Sequence, residues 1–221
     1  MRESIKRSAK NTTTALEGGP DDDARARRAA AMTEVRRGLV VDAARSAFFE
    51  LGLNGTSLRE IAKRAGYTPG AIYSYFSSKE EIYAALLGES LARLNAAVAG
   101  AENAGSTAAR VNSKAGALFA FYSENPRDLD LGFYLLHGVR PQGLSRELDA
   151  QLRVALQPTA AALAEYGLDP AEVETELAAL FAHIVGLLVL IHTGRLRIFR
   201  QQARPLLQRY LEQLTERLQG R

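Results

Sequence analysis

Apolar residues recur at helical spacing along most of the chain, and breaks rich in Gly, Pro, Ser and Asn separate the runs. Leu39, Ala43, Ala47 and Leu51, with Val40, Ala44 and Phe48, form a continuous stripe that predicts a first helix over about Thr33–Leu51. Gly52 to Gly55 makes a turn. Ser57 followed by Glu60 reads as a capping box, and Leu58, Ile61, Ala62 and Ala65 share one face of the second helix, which Gly66 closes. Thr68 with Pro69 opens a third helix of two turns to Tyr75, because a proline at the first helical position loses no needed N–H. Ile61, Ala65, Ile72 and Phe76 are expected beneath that helix, with its polar positions facing out.

Ser78 with Glu81 repeats the capping box, and Ile82, Leu86, Leu87, Leu91, Leu94 and Val98 extend a long fourth helix from Glu80. After a loop from Gly100 to Ser106, a fifth helix over Ala108–Ser123 carries Val111, Ala115, Leu118, Phe119 and Tyr122 and stops at Asn125-Pro126. A sixth covers Leu129–Gly138, and Arg140-Pro141-Gln142-Gly143 is a break. The seventh runs from Ser145 to about Tyr166 with a weaker cap, Leu148 standing where a capping box wants an acid. Asp169-Pro170 starts an eighth helix that ends at Thr193, and a ninth spans Gln202–Leu218. From Ala178 to Ile191 the eighth is apolar all round except for His183, so it is expected to be buried on every side. That run falls short of the roughly 20 residues a membrane span needs.

Two short helices joined by a tight turn with glycine form a helix-turn-helix, whose second helix enters the DNA major groove. From Leu39 to Leu86 the chain resembles the DNA-binding domain of TetR-family transcriptional regulators, on Ala43-Ala44, Phe48, Gly52, Thr56-Ser57, Ile61-Ala62, Gly66, Gly70-Ala71-Ile72-Tyr73, Tyr75-Phe76 and Ser78-Lys79-Glu80-Glu81. The resemblance implies an all-α protein: a three-helix DNA-binding domain with a helix-turn-helix over 32–78, and an effector-binding and dimerisation domain over 79–221. It further implies that Ser57, Arg59, Thr68, Gly70, Ala71 and Ser74 meet bases or nearby sugars and phosphates, with Pro69, Tyr73, Tyr75 and Lys79 completing the contact surface. The chemistry agrees. An arginine takes guanine O6 and N7 together, small residues admit the backbone to the groove, and hydroxyls suit phosphates. The last two helices resemble the family's dimer-forming pair, and Leu187, Leu190 and Leu211 are the expected interface.

Composition narrows the chemistry. The 221 residues are 47% hydrophobic, enough for proper cores, and a net charge of +3 permits a nucleic-acid partner without arguing for one. The absence of cysteine excludes disulfides, thiolate metal sites and cysteine nucleophiles, and suits a reducing cytoplasm. Residues 1–31 are polar and read as a disordered extension, or else as a basic arm along DNA through Arg25, Arg27 and Arg28, and the part near Arg25 can also extend the first helix. His183 and His192 stand nine positions apart, on opposite faces of one helix, so they share no metal. No cofactor is expected, and no motif supports catalysis, so an enzyme is not expected.

Phe119, Tyr122, Phe133, Tyr134, His137, Phe181, His183 and Leu187 are candidates for an effector pocket, or else ordinary core. The set offers rings, aliphatic chains and no Lys or Arg, so the expected effector is apolar or aromatic. The expected whole is a cytoplasmic, homodimeric, sequence-specific regulator, a repressor released from a palindromic operator by a small molecule. Alternatives are an effector-free architectural DNA-binding protein of the same fold and a helical enzyme. The first would show a filled C-terminal core, the second convergent polar groups in a cavity.

Overall fold

The computed structural model describes residues 20–134 and 145–220, and among them every regular element is helical. The helices are α1 (Pro20–Gly55), α2 (Leu58–Ala65), α3 (Pro69–Ile72), α4 (Lys79–Gly100), α5 (Thr107–Glu124), α6 (Pro126–Tyr134), α7 (Arg146–Ala164), α8 (Pro170–His192) and α9 (Ala203–Gln219). A 3-10 turn over Arg195–Phe199 joins the last two. The expected break at Arg140–Gly143 lies outside the described residues.

Side-chain caps set most of the helix starts, as the sequence leads one to expect for all of them but Ser106. Oxygens of Ser57, Thr68, Ser78, Ser106, Ser145 and Asp169 each accept from the backbone N–H three residues on. The reciprocal half of the box forms only at Asp169, where the Glu172 carboxylate reaches back to the cap N–H. At Ser57 the expected partner is diverted: Glu60 accepts from Arg64 Nε at 2.7 Å, and Arg64 also meets Glu50 and Ser46, tying α2 to α1. At Ser78, Glu81 accepts from the N–H and hydroxyl of Ser77 and from Arg37 instead.

The first helix starts earlier than its apolar stripe suggests, at Pro20 rather than Thr33, so residues 20–31, expected as part of a disordered extension, are helical; it is broken by Gly52 at φ 71. Beyond that break Thr56 folds back, its hydroxyl donating to the Gly52 carbonyl at 2.7 Å. The buried side of α1 is Val40, Val41, Ala43, Ala44, Ala47 and Phe48; Leu39 and Leu51, expected in the stripe, are exposed. They lie at the stripe's edges, which α2 and α4 do not cover.

Buried Ile82, Tyr83, Leu86, Leu87, Leu91, Leu94 and Val98 run the length of α4, which packs on α1 at one end and on α5, α6 and α7 beyond. Two buried carboxylates sit around this core in ion pairs. Asp128 of α6 accepts from Arg93 of α4, and Glu176 of α8 takes both arms of Arg217 of α9 at 2.6 and 2.7 Å.

Helix α8 corrects the expectation of burial on every side. It is 23 residues long, with an 18-residue stretch of mean hydropathy 1.9, so by length and composition alone it could cross a membrane. Within this chain 33% of that stretch is buried. Val173, Leu180, Ile184, Leu187 and Leu188 face inward, whereas Ala178, Ala182, Gly186 and Val189 are exposed. The inner side also carries His183, whose ring stacks on Tyr210 of α9 with centroids 4.1 Å apart.

Burial holds the His183 pKa below its ordinary value of 6.5, against a smaller raising effect of the Leu206 backbone. As pH falls below that value the unfolded chain takes up a proton that the folded chain resists, so stability is lost on acidification. The melting temperature is expected to fall between about pH 7 and about pH 5, and to fall less in His183→Phe, which keeps the stacked ring. Thermal melts of both proteins across that range check this, and parallel profiles would refute it.

Candidate nucleic-acid interface

The outward surface of the N-terminal domain follows from what its helices bury. Ile61 and Ala62 of α2, Ile72 of α3 and Phe76 after it are buried, as expected, α2 packing on α1 and Phe76 lying beneath the Arg37 guanidinium of α1, while Ala65 is half-buried. With those positions turned in, Ser57, Arg59, Thr68, Pro69, Gly70, Tyr73 and Ser74 are exposed, and Ala71, Tyr75 and Lys79 half-exposed. The reader helix is short. α3 proper covers four residues, but bonds from the Ser74, Tyr75 and Phe76 N–H groups to the Ala71 and Ile72 carbonyls continue the coil to Phe76.

Each end of the turn between α2 and α3 is fixed locally. Gly66 adopts φ 72, a left-handed conformation, and the Tyr67 N–H returns to the Ala62 carbonyl at 2.9 Å. Thr68 holds the start of α3 by accepting from the Ala71 N–H at 3.2 Å. The Tyr67 and Tyr75 rings, 6.0 Å apart, brace the reader from its far side, and Arg37 donates to the Tyr75 carbonyl from α1.

The candidate contacts differ in how tightly they are held. Arg59 makes no hydrogen bond or ion pair among the described residues and is exposed, so its guanidinium is available to a partner. Tyr73 is 57% exposed, so its ring is not taken up by packing within the domain. Tyr75 is not so open: its ring packs on Tyr67, and its hydroxyl lies 3.5 Å from Arg36 Nη1. Lys79 extends over the Tyr83 ring, its ammonium 5.0 Å from the centroid, and burial lowers its pKa from 10.5. Ser57 spends its hydroxyl on the Glu60 N–H. What the sequence reading missed is Arg36, on an exposed turn of α1 beside the Tyr75 hydroxyl; no motif marks it, since only the docking of α1 on the reader brings it there.

Residues 40–86 match the family model described as bacterial regulatory proteins, tetR family. Residues 40–86 are thus a TetR-family DNA-binding domain. Among relatives, the HTH-type transcriptional repressor KstR2 of Mycobacterium tuberculosis is 42% identical over 60 residues, 27% of this chain and 30% of that protein. The HTH-type transcriptional regulator TtgR of Pseudomonas putida is 45% identical over 51 residues, 23% of this chain and 24% of that one. The matches thus span under a third of these relatives' length. Solved structures extend the likeness of fold to the rest. A transcriptional regulator from Rhodococcus sp. Rha1 is 25% identical with a TM-score of 0.58, covering 83% of this chain and 96% of that one. FadR of Bacillus subtilis in complex with stearoyl-CoA is 20% identical with a TM-score of 0.58, covering 79% and 95%.

The candidate effector residues scatter. Phe119, Tyr122 and Leu187 are buried, and burial raises the Tyr122 phenol well above its ordinary pKa. Phe181 lines an open groove of about 320 Å³ between α7 and α8, with Leu152, Leu156 and Leu177. His183 is occupied by its stacking on Tyr210. The side chains of Phe133 and Tyr134, and all of His137, lie outside the described residues. The dimer candidates need correction in part. Leu187 and Leu211 are 5% and 2% exposed in the single chain, so they belong to its own core, and Leu190 is half-buried. Equal apolarity around the helix hid which side the chain itself covers.

Arg59→Ala is expected to change which DNA sequences are preferred. Lys79→Ala is expected to weaken binding to all sequences alike and to make the salt dependence shallower by about 0.9 per lost phosphate contact. Binding curves at several salt concentrations on selected and scrambled duplexes measure both, and an unchanged preference in the Arg59 variant would refute base reading.

Proposed function

We propose that the chain is a sequence-specific DNA-binding regulator that acts in the cytoplasm as a homodimer, a repressor released from a palindromic operator by a small apolar or aromatic molecule. The observation that carries the DNA-binding part is the sidedness of the reader: Ile72 and Phe76 are buried while Thr68, Gly70, Tyr73 and Ser74 are exposed together with Arg59. That surface is small and weakly polar, and Arg59 is exposed on it with no hydrogen bond or ion pair among the described residues, so sequence choice rests on Arg59, on apolar contacts with thymine methyls and on DNA shape.

Release needs a path from the C-terminal helices to the reader, and two contacts supply its parts. Arg93 of α4 holds buried Asp128 of α6, and the neighbouring Arg127 guanidinium lies against Gly52, where a Cβ would come within 3.1 Å of it. A ligand that shifts α6 would therefore press on the break in α1 and pull on α4 together. It can act only through different affinity for the two states, and operator DNA must then weaken ligand binding by the same factor. FadR of Bacillus subtilis, a neighbour in fold, holds stearoyl-CoA, whose acyl chain supports an apolar part of the effector while its CoA head is anionic. A second reading, a regulator without effector, draws support from the burial of Phe119, Tyr122 and Leu187 as plain core.

Titration of an apolar ligand with and without operator tests the proposal: affinities are expected to differ, and equal affinities would remove the inducer role. For the dimer, Val189→Arg on the exposed side of α8 is expected to give folded monomers that bind operator weakly. Leu187→Arg should unfold the subunit, because it buries an unpaired charge. Sedimentation and far-UV spectra of both variants separate these outcomes, and a Val189 variant that stays dimeric would refute the α8 interface.

A further inference from the structure

The family model begins at residue 40, yet α1 begins at Pro20. The added turns carry their own pattern. Of the described side chains from Asp21 to Leu39, only Ala24 and Arg37 are partly covered, and Arg25, Arg27, Arg28 and Arg36 are all exposed. Between Ala24 and Arg37 the chain has five arginines and one acid, Glu34. The acids at the tip, Asp21 and Asp23 among them, sit in the first turn, where the helix dipole favours them. At 100° per residue, Arg25, Arg28, Met32, Arg36 and Leu39 fall within about 80° of one another. The lower end of this face is placed by Arg36, whose Nη1 lies 3.5 Å from the hydroxyl of Tyr75 beside the reader.

We propose that the extension of α1 from Ala24 to Arg36 is a second DNA-binding surface, which lies along the phosphates flanking the site read by α3. The proposal rests on the DNA-binding reading above. From Arg25 to Arg36 the helix rises about 16 Å, the rise of roughly five base-pair steps along the duplex axis, so the face can reach phosphates beyond the reader's own contacts. Met32, Val35 and Leu39, respectively 54%, 60% and 49% exposed, make a second copy of this helix the rival occupant. The arginines favour DNA: two such faces packed together would bring Arg25, Arg28 and Arg36 of both copies into one interface with like charges opposed. Against a duplex the same arginines are matched, and the apolar side chains between them can lie on deoxyribose edges.

The test compares the full chain with its Arg25→Gln, Arg28→Gln double variant, after far-UV spectra show equal helix content. The probe is a duplex retained by the full chain from a random-sequence pool, used with long flanks and trimmed to the retained site. On the long duplex the variant's salt slope is expected to be shallower by about 1.8 per subunit, for two lost phosphate contacts, with sequence preference unchanged. On the trimmed duplex the difference should vanish. Equal slopes on the long duplex would overturn the proposal. So would a Met32→Lys variant whose free form sediments at lower mass than the full chain, because the extension would then be holding a second copy. If the full chain retains no sequence at all, the regulator reading fails, and the slope difference on a long random duplex still decides the extension.

Discussion

The two halves of this chain share a single helix. The buried stripe of α4 begins with Ile82 and Tyr83 under the reader domain and ends with Leu94 and Val98 among the C-terminal helices. Neither half can complete its core without that stripe, and interiors this closely packed move as units rather than deform gradually. The buried Asp128, held by Arg93 across the middle of α4, adds a directional contact to an otherwise greasy seam. Moving α6 while leaving α4 in place would strand a carboxylate out of water, which is costly. The arrangement therefore favours a few discrete positions of the reader.

The reader itself works by subtraction. Its buried residues define the outer face, and that face presents little beyond hydroxyls, a ring and an arginine. Specificity from such a surface depends on rigidity more than on the number of donors. The local bonds around Gly66 and Thr68, together with the Tyr67–Tyr75 contact, supply that rigidity without help from the C-terminal helices.

Much of this was legible in the sequence, and the reason is chemical. Caps such as Ser57, Thr68, Ser78 and Asp169 act over three residues, so their effect does not depend on what folds around them. Long-range facts were not legible. Glu60 has two suitors, the Ser57 N–H and Arg64, and only the docking of α2 on α1 brings Glu50 and Ser46 to fix Arg64 in place. Periodicity gave α1 its stripe but not its edges, so Leu39 and Leu51 were misassigned. In α8 there was no polar face to break the symmetry, which left Leu187 and Val189 indistinguishable until α7 and α9 covered one side. Aromatic residues posed the same ambiguity, since Phe119 looks alike in a core or lining a cavity.

Capping over three residues also bears on the order in which the chain takes shape. As the polypeptide is synthesised, the starts of α2, α3 and α4 are satisfied by side chains that emerge within the same turn. Domains tend to fold as units, N-terminal first. The distal half of α4 is different: Leu91, Leu94 and Val98 stay uncovered until α5 and α7 have followed. During that interval a competent reader would be tethered to a naked hydrophobic rod. The nascent chain is then most in need of a chaperone after its DNA-binding half has formed.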